Sequence, residues 1–183
     1  MKARVASAVA VGILIGALVG CASGPSKIQA TKAEDYAKHP KRMFVVSAVG
    51  TDWGDEYARA FQNKIGALGR ECGTAVEVSR VNTLELDEHA QTNRMRAFQA
   101  DSLLTISRNG GTRNQYGLIN VVYNLSLRDV AANKLVWRAD INFFRGATAR
   151  PVTERGEALA IEITNKLKDD GILANCPKHA LPT

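Results

Sequence analysis

Two long segments near the middle of the chain alternate between apolar and polar residues, and this pattern constrains the fold most. In the first segment, apolar side chains stand at every second position from Ile119 to Leu127. The second segment repeats the pattern from Leu135 to Phe143, and residues 131–133 between them favour a turn. A period of two over this length predicts a pair of half-buried antiparallel strands.

Shorter elements precede and follow this pair. Apolar runs at 43–49, 75–79 and 102–107 predict buried strands, of which the first is the centre of a sheet. Apolar residues recur at helical spacing over 53–68, over 152–170 and, more weakly, over 87–100. The predicted order is therefore β-α-β-α-β-β-β-α.

This order predicts an α/β (α+β) fold, a single domain of two or three layers with a mixed five-stranded sheet. Two crossovers make the first three strands parallel, and the hairpin adds two antiparallel strands. The expected sheet order of these five strands is 2-1-3-4-5, with the last strand at an edge open to strand addition. The first and last helices should pack on the same face, with their C-termini at the same end of the sheet.

The N-terminal residues are typical of a secretory signal. A short basic start precedes an apolar run from Val5 to Gly20, which falls short of the ~20 residues that span a bilayer. The stretch Leu18-Val19-Gly20-Cys21 resembles the bacterial lipobox, in which the cysteine thiol receives a diacylglycerol and the signal is cut off before it. We therefore expect a signal peptide at 1–20, a lipidated N-terminus and tether at 21–41, a periplasmic domain at 42–176 and a tail at 177–183.

The lipobox resemblance also implies a location. Ala22 follows the cysteine, where inner-membrane lipoproteins typically carry Asp, so we expect the periplasmic face of the outer membrane.

Cys72 and Cys176 remain as an even pair in an oxidising compartment, which favours a disulfide over two buried free thiols. Removal of Lys2 and Arg4 with the signal lowers the formal charge from +6 to +4. This mild excess, with no basic cluster among aromatic residues, argues against nucleic acid as a partner.

Two internal motifs resemble those of small periplasmic α/β domains. The segment 99–104 (QADSLL) resembles their "ADxLL" entry to the third strand, and 127–137 resembles their "D-x-x-x-(G/N)-K-x-V-W" turn. Such domains include the curli-secretion lipoprotein type, the N-terminal domain of the Tol translocation protein and lipoprotein activators of peptidoglycan synthases. The resemblance covers 43–171 and implies a non-enzymatic role in assembling, scaffolding or regulating an envelope machine.

Few residues are candidates for catalysis. The three histidines are far apart and at no metal-ligand spacing, so we expect neither a metal nor a cofactor: His39, His89 and His179. Asp52, Asp55 and Glu56 would suit a hydrolase as paired carboxylates. The alternative, which we favour, is that they stabilise the N-terminus of the first helix.

Residues 108–117 predict a loop through their Gly, Asn and Arg content. Arg108, Arg113 and Tyr116 are its candidate partner-binding residues, since exposed loops carry such contacts. A flexible connection without a partner is the alternative.

Three apolar residues fall on the sheet face opposite the core: Val122, Val136 and Phe144. They form a partner site if no helix covers them and part of the core if one does.

The hypothesis that these patterns favour is a lipid-anchored, non-enzymatic binding or assembly module of the cell envelope, with an envelope protein as partner. An accessory lipoprotein in lipid or lipopolysaccharide handling is the alternative, and it requires an apolar groove between sheet and helices. A periplasmic hydrolase is the third hypothesis, and it requires a clustered acid, base or nucleophile.

Overall fold

The computed structural model describes residues 26–182 except 52, 82–83, 85–86, 88, 116, 145–150 and 175. The signal peptide and Cys21 therefore lie outside the described residues. Within them, six strands and three helices follow one another: β1 (Lys27–Lys32), β2 (Arg42–Ser47), α1 (Gly54–Glu71), β3 (Ala75–Arg80), α2 (Ala90–Ala97), β4 (Ser102–Asn114), β5 (Gly117–Asp129), β6 (Lys134–Phe144) and α3 (Val152–Asp169). None of these helices has the length and apolar character needed to cross a membrane.

The six strands form one mixed sheet in the order β1-β6-β5-β4-β2-β3. β2 runs parallel to β3 and β4, and the other neighbouring pairs are antiparallel. The α/β (α+β) class and the order of the five predicted strands are confirmed, because β3-β2-β4-β5-β6 is the order 2-1-3-4-5 among them. The order is one of the few arrangements that right-handed crossovers between parallel strands allow.

The sixth strand corrects two predictions. β1 lies inside the stretch 21–41 that we expected to be a tether, and it pairs with β6 from Lys27 opposite Asn142 to Lys32 opposite Trp137. The ordered domain therefore includes residue 27 and does not begin at 42. β6 has a neighbour on both sides, so the prediction of an open edge at the last strand is wrong, and the two edges are β1 and β3.

Helices α1 and α3 pack against each other on one face of the sheet, as predicted. The side chains that they bury against the strands are Tyr57, Phe61, Ile65 and Leu68 in α1 and Leu159, Ile163 and Leu167 in α3. The two helix backbones approach closely at Gly156, where an added Cβ would lie 2.4 Å from the carbonyl oxygen of Tyr57. The core therefore lies between this helix pair and the sheet.

Helix α2 covers part of the opposite face. It is shorter than the predicted 87–100, and Phe98 follows its last residue. The Phe98 ring lies 6.2 Å from the ring of Phe44 in β2, and the guanidinium of Arg42 lies 4.6 Å from the same Phe98 ring. Since Met43 and Val45 belong to the core with α1 and α3, Phe44 between them faces the other side. Strand β2 is thus buried on both faces, as its continuous apolar run predicted.

A long hairpin replaces the predicted loop at 108–117. β4 continues to Asn114 and β5 begins at Gly117, so the loop prediction is wrong. Two register shifts interrupt the β4–β5 ladder. Gly111 lies between them, and an added Cβ there would lie 2.5 Å from the carbonyl oxygen of Asn120. Ile119, expected on the core face, is 38% exposed beside the second shift.

The C-terminal segment is fastened to both packed helices. A disulfide joins Cys72, directly after α1, to Cys176, which follows α3. Gly171 has φ +68° just beyond α3, the left-handed conformation expected of a C-terminal cap. The side chain of Asn165 donates to the carbonyl oxygen of His179 at 2.9 Å and accepts its N–H at 3.2 Å. The C-termini of α1 and α3 therefore lie at one end of the sheet, as expected.

The two motif aspartates at the entry to β4 and at the end of β5 have structural roles. Asp101 accepts the backbone N–H groups of Lys41 and Arg42 at 2.7 and 3.1 Å. The buried Asp129 accepts the N–H of Ala132 at 2.9 Å. Asp101 therefore fixes the start of β2, and Asp129 closes the turn between β5 and β6.

Candidate functional site

Polar side chains cover the sheet face opposite α1 and α3 on β1, β6, β5 and β4. The strand register aligns eight of them in two cross-strand rows of four. The rows are Gln29, Asp140, Asn124 and Ser107, then Thr31, Arg138, Ser126 and Thr105. These eight residues are named the polar sheet face.

The polar sheet face is open to solvent. Its side chains are exposed or half-buried, and seven of the eight line a shallow depression of about 550 Å³. The Asn124 amide donates a hydrogen bond to the Asp140 carboxylate, and farther along the same two strands Asn120 donates to Asn142. These amide bridges between β5 and β6 hold the neighbouring polar groups in fixed positions.

The chemistry of this face suits hydrogen bonding to a polar partner. It offers hydroxyl and amide groups together with one guanidinium, on Arg138, and one carboxylate, on Asp140. The eight residues include no histidine or cysteine.

The predicted partner-binding residues lie elsewhere on the sheet. Arg108 and Arg113 are exposed on β4, within the long hairpin. They stand opposite Tyr123 and Leu118 of β5. Tyr116 lies outside the described residues. The two arginines are therefore held on paired strands, beyond the polar sheet face and not in a flexible loop.

The three apolar residues predicted to share a face have different surroundings. Val136 lies at the register shift of β6 and belongs to the core, with 2% of its surface exposed. Val122 is half-buried, whereas Phe144 is 39% exposed. They do not form one apolar patch, because Val136 belongs to the core and Val122 stands directly opposite Asn142.

The candidate carboxylates at the start of α1 take part in a surface ion pair. Asp55 accepts a hydrogen bond from the guanidinium of Arg80 at 2.7 Å. This hydrogen bond, together with the charge of Arg80, holds the pKa of the Asp55 carboxyl below its usual range. Glu56 is exposed beside it, and Asp52 lies outside the described residues. The ion pair with Arg80 and the lowered pKa favour the structural interpretation for Asp55.

The histidines also contact neighbouring groups singly. Nδ1 of His39 lies 3.1 Å from the carbonyl oxygen of Ile172, and Nε2 of His179 lies 3.2 Å from the Glu71 carboxylate. The backbone N–H of His89 donates to Asp87 at 2.9 Å. Across the ranges that the structure describes, no three His, Cys, Asp or Glu residues converge to hold a metal ion.

Sequence reasoning missed two members of the polar sheet face, Gln29 and Thr31. They belong to β1, whose sequence KIQATK alternates between polar and apolar residues and becomes half-buried at every second position. That alternation was the available signal, and the lysines at both ends of the segment obscured it.

Comparisons with known proteins place the fold among bacterial structures. A scan against models of protein families and a search of curated proteins gave no match. Among solved structures, a PelC dodecamer from Paraburkholderia phytofirmans matches with a TM-score of 0.53 and 15% identity, over 81% of this chain and 97% of PelC. A second PelC dodecamer from that organism gives 0.52 and 16%, over 78% and 96%. Lipoprotein GNA1162 from Neisseria meningitidis gives 0.43 and 15%, over 71% and 99%.

At these identities, the likeness to PelC is a likeness of fold. It extends over nearly the whole PelC chain and most of this one. None of the three structures is of the curli-secretion or Tol translocation type that the short internal motifs resemble. The finer part of that resemblance therefore has no support from these structures.

Proposed function

We propose that this chain is a lipid-anchored module of the bacterial cell envelope that acts by binding protein, without catalysis, through its polar sheet face. The observation that carries the proposal is the pair of polar rows across four strands, open to solvent while the other sheet face is filled by α1 and α3. A rigid sheet with fixed amides and one charge of each sign suits recognition of a protein surface.

Two further observations support an envelope role. The segment 18–21 resembles a lipobox, and the disulfide between Cys72 and Cys176 suits the oxidising periplasm. The fold is shared with PelC, which was crystallised as a dodecamer. We propose on this basis that the partner is either another copy of this chain or a larger envelope assembly, at the periplasmic face of the outer membrane.

The lipid-handling alternative has less support. It requires an apolar groove between the sheet and the helices, and that space in the described part is occupied by the buried stripes of α1 and α3. The 550 Å³ depression lies on the opposite face and is lined mainly by polar groups. A lipid chain would find little apolar surface there.

Site-specific crosslinking in cells tests the proposal. A photoreactive phenylalanine analogue replaces Arg138, at the centre of the polar sheet face, in the full-length lipidated protein. The matched control carries the analogue in place of Arg59, which is exposed on α1. We expect position 138 to give a discrete crosslinked product and position 59 to give none.

The mass of the product identifies the kind of partner. A ladder at multiples of the chain mass indicates self-assembly, and a product containing a different envelope protein indicates a heteromeric complex. Equal products from positions 138 and 59, or no product from either with the protein folded and abundant, would contradict the proposed role of this face.

A further inference from the structure

The large apolar side chains that are exposed among the described residues lie toward the same end of the sheet, two beside the β4–β5 hairpin and two after the end of β3. Four large ones are exposed: Val81 at 46%, Leu84 at 84%, Ile119 at 38% and Phe144 at 39%. Val81 and Leu84 follow the C-terminal end of β3, Ile119 lies near the start of β5, and Phe144 ends β6. β3, β4 and β6 end on the side of the sheet where β5 and β1 begin. These positions therefore all lie toward the same end of the sheet. This side, which includes the tip of the β4–β5 hairpin, is named the hairpin end.

The N-terminal strand fixes where a lipid at Cys21 can reach. β1 begins at Lys27 opposite Asn142, two residues before Phe144. Only residues 22–26 separate Cys21 from Lys27, and even a fully extended chain of that length spans about 22 Å.

The opposite end of the sheet lies beyond this reach. The turn before Lys134 is eight residues along β6 from Asn142, or about 26 Å at the rise of a strand. A lipid at Cys21 therefore holds the hairpin end against the bilayer more readily than the β5–β6 turn.

Charges on the hairpin end are arranged unevenly. The strands there carry the exposed basic residues Lys27, Arg108 and Arg113. The exposed acid Asp140 lies beside Arg108 in the strand register, so the described residues of these strands keep an excess of two positive charges at this end, whereas Glu56 on α1 and Asp87 before α2 lie on the two faces of the sheet. Anionic headgroups are therefore expected to attract the strand side, where Ile119 and Phe144 also lie.

We propose that the hairpin end is a membrane-docking surface for a phospholipid bilayer. Ile119 and Phe144 lie at the boundary between headgroups and acyl chains, and the basic side chains of the strands contact phosphate groups. Docking fixes the orientation of the domain. The polar sheet face is then held perpendicular to the membrane plane and is accessible to a partner. This inference rests on the proposed lipidation at Cys21 and adds a defined orientation to it.

Fluorescent labels in reconstituted protein test the orientation. One variant carries Ile119→Cys and the matched control carries Ala132→Cys, which is exposed in the turn at the other end of β5. Each introduced thiol receives an environment-sensitive fluorophore, because Cys72 and Cys176 are joined to each other and a lipidated Cys21 does not react. The full-length lipidated proteins are reconstituted into vesicles of phosphatidylethanolamine and phosphatidylglycerol that contain spin-labelled lipids.

We expect a blue-shifted label with several-fold stronger quenching at position 119 than at position 132. A Phe144→Cys variant should reproduce the result at 119 and guards against local misfolding at Ile119. Equal quenching at both ends, or stronger quenching at 132, would overturn the docking surface. A blue shift at 119 that depends on protein density but not on spin-labelled lipid would overturn it as well, since a second copy would then cover this end.

Flotation separates this proposal from the one on which it depends. If the labelled proteins do not float with vesicles, Cys21 is not an anchor, and both the lipid-anchored function and the docking surface are wrong. If they float but quench equally at both ends, the anchor stands and only the docking surface is wrong.

Discussion

Two glycine substitutions with opposite expected signs test the packing of α1 against α3. An added Cβ at Gly156 would lie 2.4 Å from the carbonyl oxygen of Tyr57 and 3.0 Å from the backbone nitrogen of Phe61. Both are backbone atoms of α1, so a side-chain rotation cannot relieve the contact. At Gly66, in the middle of α1, the closest atom would be Nη1 of Arg70 at 3.8 Å, an ordinary contact.

The magnitudes follow from two opposing effects. Alanine is favoured over glycine inside a helix by about 0.5–1 kcal/mol, which is the whole expected effect of Gly66→Ala. Gly156→Ala has the same gain, but overpacking a tight interface costs typically about 1–3 kcal/mol. Because the new methyl group meets two backbone atoms, we expect a net loss of about 1–2 kcal/mol.

Urea denaturation of the mature chain in mild detergent, followed by circular dichroism, measures both changes. For a slope of about 2 kcal/mol/M, the midpoint should fall by about 0.5–1 M for Gly156→Ala and rise by about 0.3–0.5 M for Gly66→Ala. A Gly156→Ala variant as stable as the parent protein would refute the close approach of the two helices. A Gly66→Ala variant with an equal loss would show that space around the methyl group does not decide the sign.

Two further stability predictions use the same assay. Replacement of Cys72 and Cys176 by alanine opens a loop of sequence separation 104, which should cost about 4–5 kcal/mol, and the reduced parent protein should behave alike. An unchanged urea midpoint would contradict this. The Lys38 ammonium donates a hydrogen bond to the Asp129 carboxylate at 2.7 Å, and this bond is the largest cause of the lowered pKa of that carboxyl. Asp129→Asn should therefore lower the free energy of unfolding by about 1–2 kcal/mol at neutral pH. The pKa of the Asp129 carboxyl in the folded protein lies below the ordinary value of 3.8. The difference in stability between Asp129→Asn and the parent protein should therefore fade as the pH falls through that pKa. A stability difference that persists in acid would count against the assignment.

Local periodicity was sufficient to predict much of the fold. The stripe from Tyr57 to Leu68 and the alternation from Val121 to Leu127 each reflect one continuously buried face. The predicted strand order is one of the few arrangements that right-handed crossovers leave for two parallel crossovers and a hairpin. The disulfide followed from an even pair of cysteines in an oxidising compartment.

The errors arose where burial is weak or backbones crowd. β1 is an edge strand that half-buries only Ile28, Ala30 and Lys32, so its apolar signal is slight. The Gly110-Gly111 pair was interpreted as a loop, but it lies within a strand with a register shift on either side. Gly110 has φ +138°, and Gly111 leaves room for the partner backbone. Glycine in this hairpin therefore reflects irregular strand geometry and close approach, as it often does in strands.

The candidate site was the least predictable part. The outward residues Asn124, Ser126 and Arg138 were visible from alternation, but their alignment into rows depends on the register of four strands. That register is set by pairing partners far apart in the chain and by the shift at Val136. A single sequence specifies which face a residue occupies much better than which residues stand beside it.

The mass of the N-terminal fragment of the mature protein, extracted from membranes, tests the central claim most directly. The proposed lipid anchor at Cys21 underlies both the proposed envelope function and the proposed orientation of the hairpin end. The account predicts a mature chain that begins at Cys21 and carries a diacylglycerol thioether on that residue. A mature chain that begins elsewhere, or a Cys21 with an unmodified thiol, would contradict the account.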